Sequence, residues 1–429
     1  NHRPVRNQGL VGRHGEVAMT VPAPVRPRPA PPAPYRWPVR PASSAVRSAS
    51  RSVARLARRV AGGVPDWGLA GAAGALCLVG VVLVWASTGP RLAAEGEDPR
   101  TYLRRQLLNV AVGAVVMVAF ALADHGALRA WTPPLYALGC LGLLAVLTPL
   151  GRTVNGAQSW LGAGALQVQP SELVKPALVL ILAMLLGEQP DGEHRPRGPQ
   201  VLLALAVAAV PLGLVMLQPD LGTFTIIAAI TFGMLVAAGV RWRWIGLLAS
   251  AGAAAAVLAW VLGLLRPHQV QRLLTFADPL ADPQGAGYNA AQALITVGSG
   301  GLSGRGLLRG DQTGGGFVPE QHTDFVFTVA GEELGFAGSM LVLLLLWAVL
   351  ARGLRVAARA ASPYGTLAAA GIVCWFGVQT FVNVGMVVGL LPIVGVPLPF
   401  VSYGGSSIVA CLAAVGVLMS VRGQDVRRL

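Results

Sequence analysis

The sequence predicts an all-α polytopic membrane protein of about ten transmembrane helices, with N- and C-termini cytoplasmic and one long extracytoplasmic loop. Three observations carry that prediction. Of 429 residues, 54% are hydrophobic and only 12% charged, with a mean hydropathy of +0.60, where soluble domains carry about 25% charge. Apolar runs long enough to cross about 30 Å of hydrocarbon recur along the chain. Arginines favour alternate loops, as expected when basic loops stay in the cytoplasm.

The chain opens with a basic tail, residues 1–66. Its first 59 residues hold twelve arginines against one acid, Glu16, and nine prolines lie between Pro22 and Pro41. Such prolines favour extended, uncollapsed backbone. Met19 is the first available start, so residues 1–18 read as foreign or upstream sequence. The stretch "RSVARLARRVAG" (51–62) fits either a short interfacial helix or a disordered basic linker. A basic tail beside a membrane suits anionic lipid headgroups. No nucleic-acid recognition fold accompanies it, so nucleic acid is not an expected partner.

The candidate spans follow at about 68–87, 107–124, 131–149, 172–187, 201–217, 221–240, 243–264, 324–351, 363–389 and 403–421. With the tail inside, the inner loops carry eleven arginines and the outer loops nine, four of the nine in 88–106. One outer loop, about 265–323, is far longer than the rest; structureless loops of that length are usually functional. Within it "NAAQALITVGSG" has the pattern of a short surface helix. The four cysteines (Cys77, Cys140, Cys374, Cys411) fall inside apolar runs without metal-ligand spacing, and the six histidines form no HxxxH pair.

The candidate functional residues are charges in unusual places. Lys175 is the only lysine in a chain of 33 Lys and Arg. It follows Glu172 by three residues at the head of a span, on one helix face. Both a capping pair with a snorkelling lysine and a functional ion pair fit that spacing; a compact ammonium does what a planar guanidinium cannot. "ADPLADP" presents Asp278 and Asp282 either as turn formers or as a base above the membrane. Asp220 in "QPDLGT" reads as an N-cap. "HTDFVFTVAGEELGF" places Glu332 and Glu333 about two turns into a span, where carboxylates need partners. "LPIVGVPLPFVSYGGSS" (391–407) is irregular backbone at membrane depth, tolerated where it lines a cavity.

Taken in order, "NGAQSWL", "QPSELVK", "QPDLGT", "DPQGAGYN", "PEQHTDFVF", "GEELGF" and "LPFVSYGGSS" resemble the SEDS family of bacterial cell-wall and division proteins, over about 68–424. "GAGYN" and "NVGM" (383–386) lean toward its elongation branch; Gln158, where a basic residue is frequent, and "RGDQTG", in place of a Gly-Thr-Gln, depart from the pattern. The resemblance implies a SEDS-type transmembrane domain at 67–424, a cytoplasmic C-terminus at 425–429, and residence in the bacterial cytoplasmic membrane. It implies a peptidoglycan glycosyltransferase that polymerises lipid II on the outer face. It also implies a class B penicillin-binding protein, the transpeptidase, as partner. The family's essential loop aspartate falls on Asp282, as catalytic base. Substrate binding is expected of Glu172, Lys175, Arg272, Asp278, His322, Asp324, Glu332 and Ser402. No cofactor is certain; a divalent cation (Mg2+ or Mn2+) would fall to Asp282. A lipid II flippase and a division-type polymerase are the alternatives.

Overall fold

The computed structural model describes residues 66–154, 157–163, 166–188, 195–263, 269–270, 276 and 286–428. Residues 1–65 of the basic tail and most of 264–285 therefore lie outside the described residues. The elements in chain order are α1 (Trp67–Ala94), α2 (Thr101–Leu122), α3 (His125–Val146), β1 (Gly151–Val154), β2 (Ala157–Ala163), β3 (Leu166–Val168), α4 (Pro170–Gly187), α5 (Gly198–Leu217), α6 (Leu221–Ala237) and α7 (Trp242–Val261). They continue with α8 (Ala286–Ser299), the short turn α9 (Asp311–Gly314), α10 (Val326–Glu333), α11 (Gly335–Arg359), α12 (Pro363–Val387) and α13 (Gly405–Arg428).

Three helices, α1, α6 and α12, start where a short polar side chain takes up an otherwise unpaired amide. The Asp66 carboxylate accepts from the Leu69 amide at the head of α1 (3.1 Å), and Ser362 accepts from Gly365 at the head of α12 (3.1 Å). Asp220 does the same for α6, accepting from the Thr223 amide (2.9 Å) and hydroxyl (2.8 Å). Pro170 and Pro363 occupy first-turn positions, where a missing N–H costs nothing.

Eight helices (α1, α2, α4, α5, α7, α11, α12, α13) are long and apolar enough to cross a membrane. Of the other two expected spans, α6 is apolar but only 17 residues long, and α3 has 22 residues but is not among the eight. Burial sorts the eight. In α4 and α13, 72% of the apolar window is buried, against 11% in α2 and 6% in α7. The first pair forms the centre of the bundle; the second presents its sides outward, as helices facing lipid do.

Two features depart from the sequence reading. The body is helical, but 151–168 folds into a three-stranded antiparallel sheet, ordered β1-β2-β3, with Gly151 opposite Leu161 and Leu161 opposite Val168. Runs this short, rich in Gly, Thr and Val, cannot sustain helical turns, and the ladder pairs their backbone instead. The expected span at 324–351 is broken at Leu334 into α10 and α11. The Glu332 and Glu333 carbonyls accept from the amides of Arg305 (2.9 Å) and Gly306 (3.0 Å). The break turns on Gly335, whose φ is +68°, a conformation that side-chain-bearing residues rarely adopt. The surface segment "NAAQALITVGSG" is helical, as α8.

Candidate functional site

A cavity of 420 Å³ opens among the starts of α4, α6 and α13, strand β2, the 319–325 segment and the extended 393–397 segment. The last of these lies directly on α6. A Cβ on Gly222 would stand 2.5 Å from the Val394 carbonyl oxygen, so the wall can close only over a glycine.

Glu172 and Lys175 form the cavity's buried floor. Both are almost fully buried, at 2% and 1% exposure. Their one-turn spacing on α4 brings the Lys175 Nζ to 2.6 Å from Glu172 Oε1. Pro176, next in sequence, has no N–H to give the Glu172 carbonyl one turn back. The same ammonium donates to Gln379 Oε1 (3.0 Å) and lies 5.2 Å from the centre of the Trp375 ring. Its three protons therefore have a carboxylate, an amide and a π face. Glu172 Oε2, by contrast, is buried without a hydrogen-bond partner.

The support for this pair comes from α12. Trp375, Gln379 and Asn383 recur every four residues, so they share one helix face. The Trp375 indole N–H donates to Gln379 Oε1 (2.6 Å), and Gln379 Nε2 donates to the Pro397 carbonyl (2.8 Å). Asn383 Nδ2 donates to the carbonyls of Asp324 (2.8 Å) and Val396 (2.7 Å). Two amide side chains thus fasten the lysine, the cavity wall and the Asp324 backbone to one helix.

The other expected residues divide. Asp324 lines the cavity, as do Asp220 and Glu320; Asp220 is close enough to Glu172 and Lys175 to interact with both electrostatically. His322 stands at the rim, its ring 5.0 Å from Tyr102 and 5.5 Å from Tyr403, which lines the cavity. Burial holds the His322 pKa below its usual value, with Glu320 opposing and Arg91 assisting. Ser402 is buried and fastens the loop ahead of α13. Its hydroxyl donates to the Thr323 carbonyl (2.5 Å) and accepts from the Leu398 amide (2.8 Å). Glu332 is not in the cavity. Its carboxylate accepts from Gln312 N (2.9 Å), Thr313 N (2.7 Å) and Thr313 Oγ1 (2.6 Å), holding the α9 turn. Asp282, Asp278 and Arg272 lie outside the described residues. Among the described residues no group of three His, Cys, Asp or Glu side chains is placed to hold a metal ion.

Sequence reasoning passed over Gln379, Asn383, Trp160 and Tyr403. The first two carried a usable signal: amides four residues apart inside an apolar run are rare unless they bind something.

A second chamber, of 320 Å³ and almost wholly apolar, lies between α2, α3, α4 and α13. It shares walls with the first. Glu172 lines one and Leu173 the other; Trp160 and Leu161 on β2 divide likewise, as do Ser407 and Val409 at the start of α13.

Residues 69–426 match the cell cycle protein family represented by FtsW, RodA and SpoVE. The chain is 38% identical over 347 residues to the peptidoglycan glycosyltransferase MrdB of Escherichia coli (strain K12), covering 81% of this chain and 90% of that one. It is 36% identical to stage V sporulation protein E of Bacillus subtilis (strain 168), over 81% of this chain and 93% of the relative. Among solved structures it resembles a chain of a peptidoglycan synthase complex that coordinates polymerization and crosslinking, with a TM-score of 0.70 and 31% identity, covering 84% of this chain and 98% of that one. It also resembles the rod shape determining protein RodA of Thermus thermophilus, with a TM-score of 0.60 and 29% identity, over 84% and 97% of the two chains. The match over nearly all the described body, with these levels of identity, makes the chain a multi-pass membrane protein of the SEDS family.

Proposed function

We propose that this chain polymerises lipid II into glycan strands on the outer face of the cytoplasmic membrane. Kinship with peptidoglycan glycosyltransferases makes it a membrane-embedded glycosyltransferase that builds peptidoglycan. The elongation role is our reading of "GAGYN" and "NVGM".

The observation that carries the substrate assignment is the pair of chambers with common walls. A lipid-linked sugar is a polar head joined to a long apolar chain. One chamber is polar, the next is apolar, and Glu172 and Leu173 stand on either side of the partition. A prenyl chain in the 320 Å³ groove would leave its sugar at the 420 Å³ cavity without crossing lipid.

In this reading the acceptor's 4-hydroxyl oxygen bonds to the donor's anomeric carbon as the bond from that carbon to the diphosphate oxygen breaks. The electron pair leaves with the polyprenyl diphosphate, and the hydroxyl proton passes to Asp282. Glu172, paired with Lys175, would offer its buried, unpartnered Oε2 to a sugar hydroxyl or amide N–H at the cavity floor. Asp324 and Asp278 would contact the saccharides from the segments above.

Ten spans with both termini inside fit the contacts between helix ends. At one end Asp66, before α1, pairs with Arg352 of α11 and Arg422 of α13, and Arg129 near the start of α3 pairs with Glu188 after α4. Tyr102 of α2, His322 and Tyr403 cluster at the other. Alternating spans bring those termini together in that way. A relative of known structure belongs to a peptidoglycan synthase complex, and a class B transpeptidase is the proposed partner here.

The test is glycan-chain formation from purified lipid II by this protein with its transpeptidase, against Asp282→Asn in the same complex. Polymer from the parent and at least about a hundredfold less from the variant, in line with losing a general base, supports the reading. Equal polymer from both removes Asp282 from the chemistry.

A further inference from the structure

α7 is attached to the rest of the helical body at one end only. Near its start Trp244, Ile245 and Leu248 pack against the core. A Cβ on Gly198, at the head of α5, would stand 3.9 Å from Trp244 Cζ2, so the two helix heads touch. From Ala251 to Gly263, by contrast, every residue except Ala259 is exposed, and only 6% of the helix's apolar window is buried. A helix in lipid is positioned by packing against its neighbours and by the residues that anchor its ends at the membrane interface. With so little packing along its length, α7 depends on the anchor at its head.

That head is "RWRW", residues 241–244. Trp244 turns toward the body, while Trp242 is 80% exposed and Arg241 and Arg243 are exposed beside it. A chain of contacts places them at the same end of the body as Asp66. Trp244 meets the head of α5, Gln200 of α5 donates to the Glu188 carbonyl (2.9 Å), and the Glu188 carboxylate pairs with Arg129. Arg129, Arg352 and Arg422 at that end are each paired with a carboxylate. Arg241 and Arg243 have no carboxylate partner among the described residues. One turn further into the membrane the surface becomes apolar: Leu247 on α7 and Leu202 and Leu203 on α5 are each more than half exposed.

We infer that the adjoining heads of α5 and α7 form a binding site for an anionic diacyl phospholipid of the inner leaflet. Arg241 and Arg243 hold its phosphate, since a guanidinium meets two phosphate oxygens at once through parallel N–H bonds. Trp242 lies at the level of the glycerol backbone, where an indole is at home with one side in lipid and one in water. The acyl chains run along Leu247, Leu202 and Leu203. A zwitterionic lipid brings its own ammonium beside the phosphate, so two uncompensated guanidiniums favour a headgroup of net negative charge. The bound lipid secures the one attached end of the helix that leads into the long outer loop.

The experiment is photo-crosslinking of the full-length protein in phosphatidylcholine nanodiscs that carry a small share of photoactivatable phosphatidylglycerol, with the labelled peptides identified by mass spectrometry. Label is expected on 198–203 and 241–247, displaced by unlabelled phosphatidylglycerol but not by added phosphatidylcholine or glycerol phosphate. The double variant Arg241→Ala/Arg243→Ala should lower that label at least about tenfold, and Arg241→Lys/Arg243→Lys should lower it less. Monodisperse elution and an unchanged Tm verify that the variants fold. Equal labelling by a photoactivatable phosphatidylcholine overturns the site, because the contact is then general lipid contact. Parent-like labelling in the double alanine variant overturns it too, as does label confined to the basic tail. Displacement by glycerol phosphate makes it a site for soluble phosphate and overturns the lipid assignment. Labelling is read without any measure of polymer, so the outcome is independent of the polymerase reading.

Discussion

Two ion clusters, at opposite ends of the helical body, show what the chain does with buried charge. At one end the Asp66 carboxylate caps α1 and receives Arg352 (2.5 Å) and Arg422, both about a third exposed, so each of its oxygens is paired and its partners reach water. At the other, Glu172 and Lys175 are buried together, and Glu172 Oε2 has no partner. The first cluster is closed and ties three helices together. The second is held by Gln379 and Trp375 around the ammonium, and it lines a cavity with one carboxylate oxygen buried and unpartnered. A buried acceptor without a partner is costly, so its presence beside a cavity points to a ligand that completes it. The comparison sets a fully paired ion cluster against one that keeps an unsatisfied acceptor beside a cavity.

The largest effect should come from breaking the open cluster. Lys175→Met leaves Glu172 buried without its counter-ion, a loss of about 3–5 kcal/mol, and thermal unfolding in detergent should show it. The double variant Glu172→Gln/Lys175→Met should regain most of that stability while glycan synthesis remains lost; recovery of both would make the pair purely structural.

A smaller effect is expected at Gln379→Leu, which strips an acceptor from Lys175 and Trp375 and a donor from Pro397. About 1–3 kcal/mol of stability should be lost. The apparent KM for lipid II should rise along with it, since the 393–397 wall loses an anchor; an unchanged KM would confine Gln379 to folding.

The smallest belongs to the closed cluster. Asp66→Asn should cost only about 1 kcal/mol, because its half-solvated arginines are already screened, and polymerisation should persist. Burial alone would raise the Asp66 pKa, but the Leu69 amide and the two arginines hold it below the usual carboxylate value. The folded state therefore binds this proton less readily than the unfolded chain. The contribution is present in full above about pH 4 and is lost as pH falls through the folded-state pKa. Tm measured from pH 7 to pH 3 should fall less steeply in D66N than in the parent; parallel curves would remove Asp66 from the acid response.

Much of this was legible in the sequence, for reasons that particular residues make plain. The ten apolar runs correspond to helices, because hydropathy and length are local properties. Asp220 sits at a helix head, where a short acid caps. The lone lysine and its partner at 172 drew notice through composition and spacing. The break at Leu334 was not legible, because it depends on amides at 305 and 306 reaching the Glu332 and Glu333 carbonyls. Nor was the role of Glu332: its depth in an apolar run suggested a site, whereas the α9 turn folds back and consumes its acceptors.

What the sequence by itself determined is the membrane character, the helices and the positions of the charges. A helix satisfies its own backbone within the bilayer, so each span is specified by its own residues. Tertiary structure decided which charges meet. Lys175 and Gln379 are 204 residues apart, Asp66 and Arg422 356 apart. Lipid surrounds apolar helices as readily as other helices do, so hydropathy does not choose their neighbours; shape and buried polar groups make that choice. That choice, bringing α4, α6, α12 and α13 around one cavity, turned a capping pair into a candidate site.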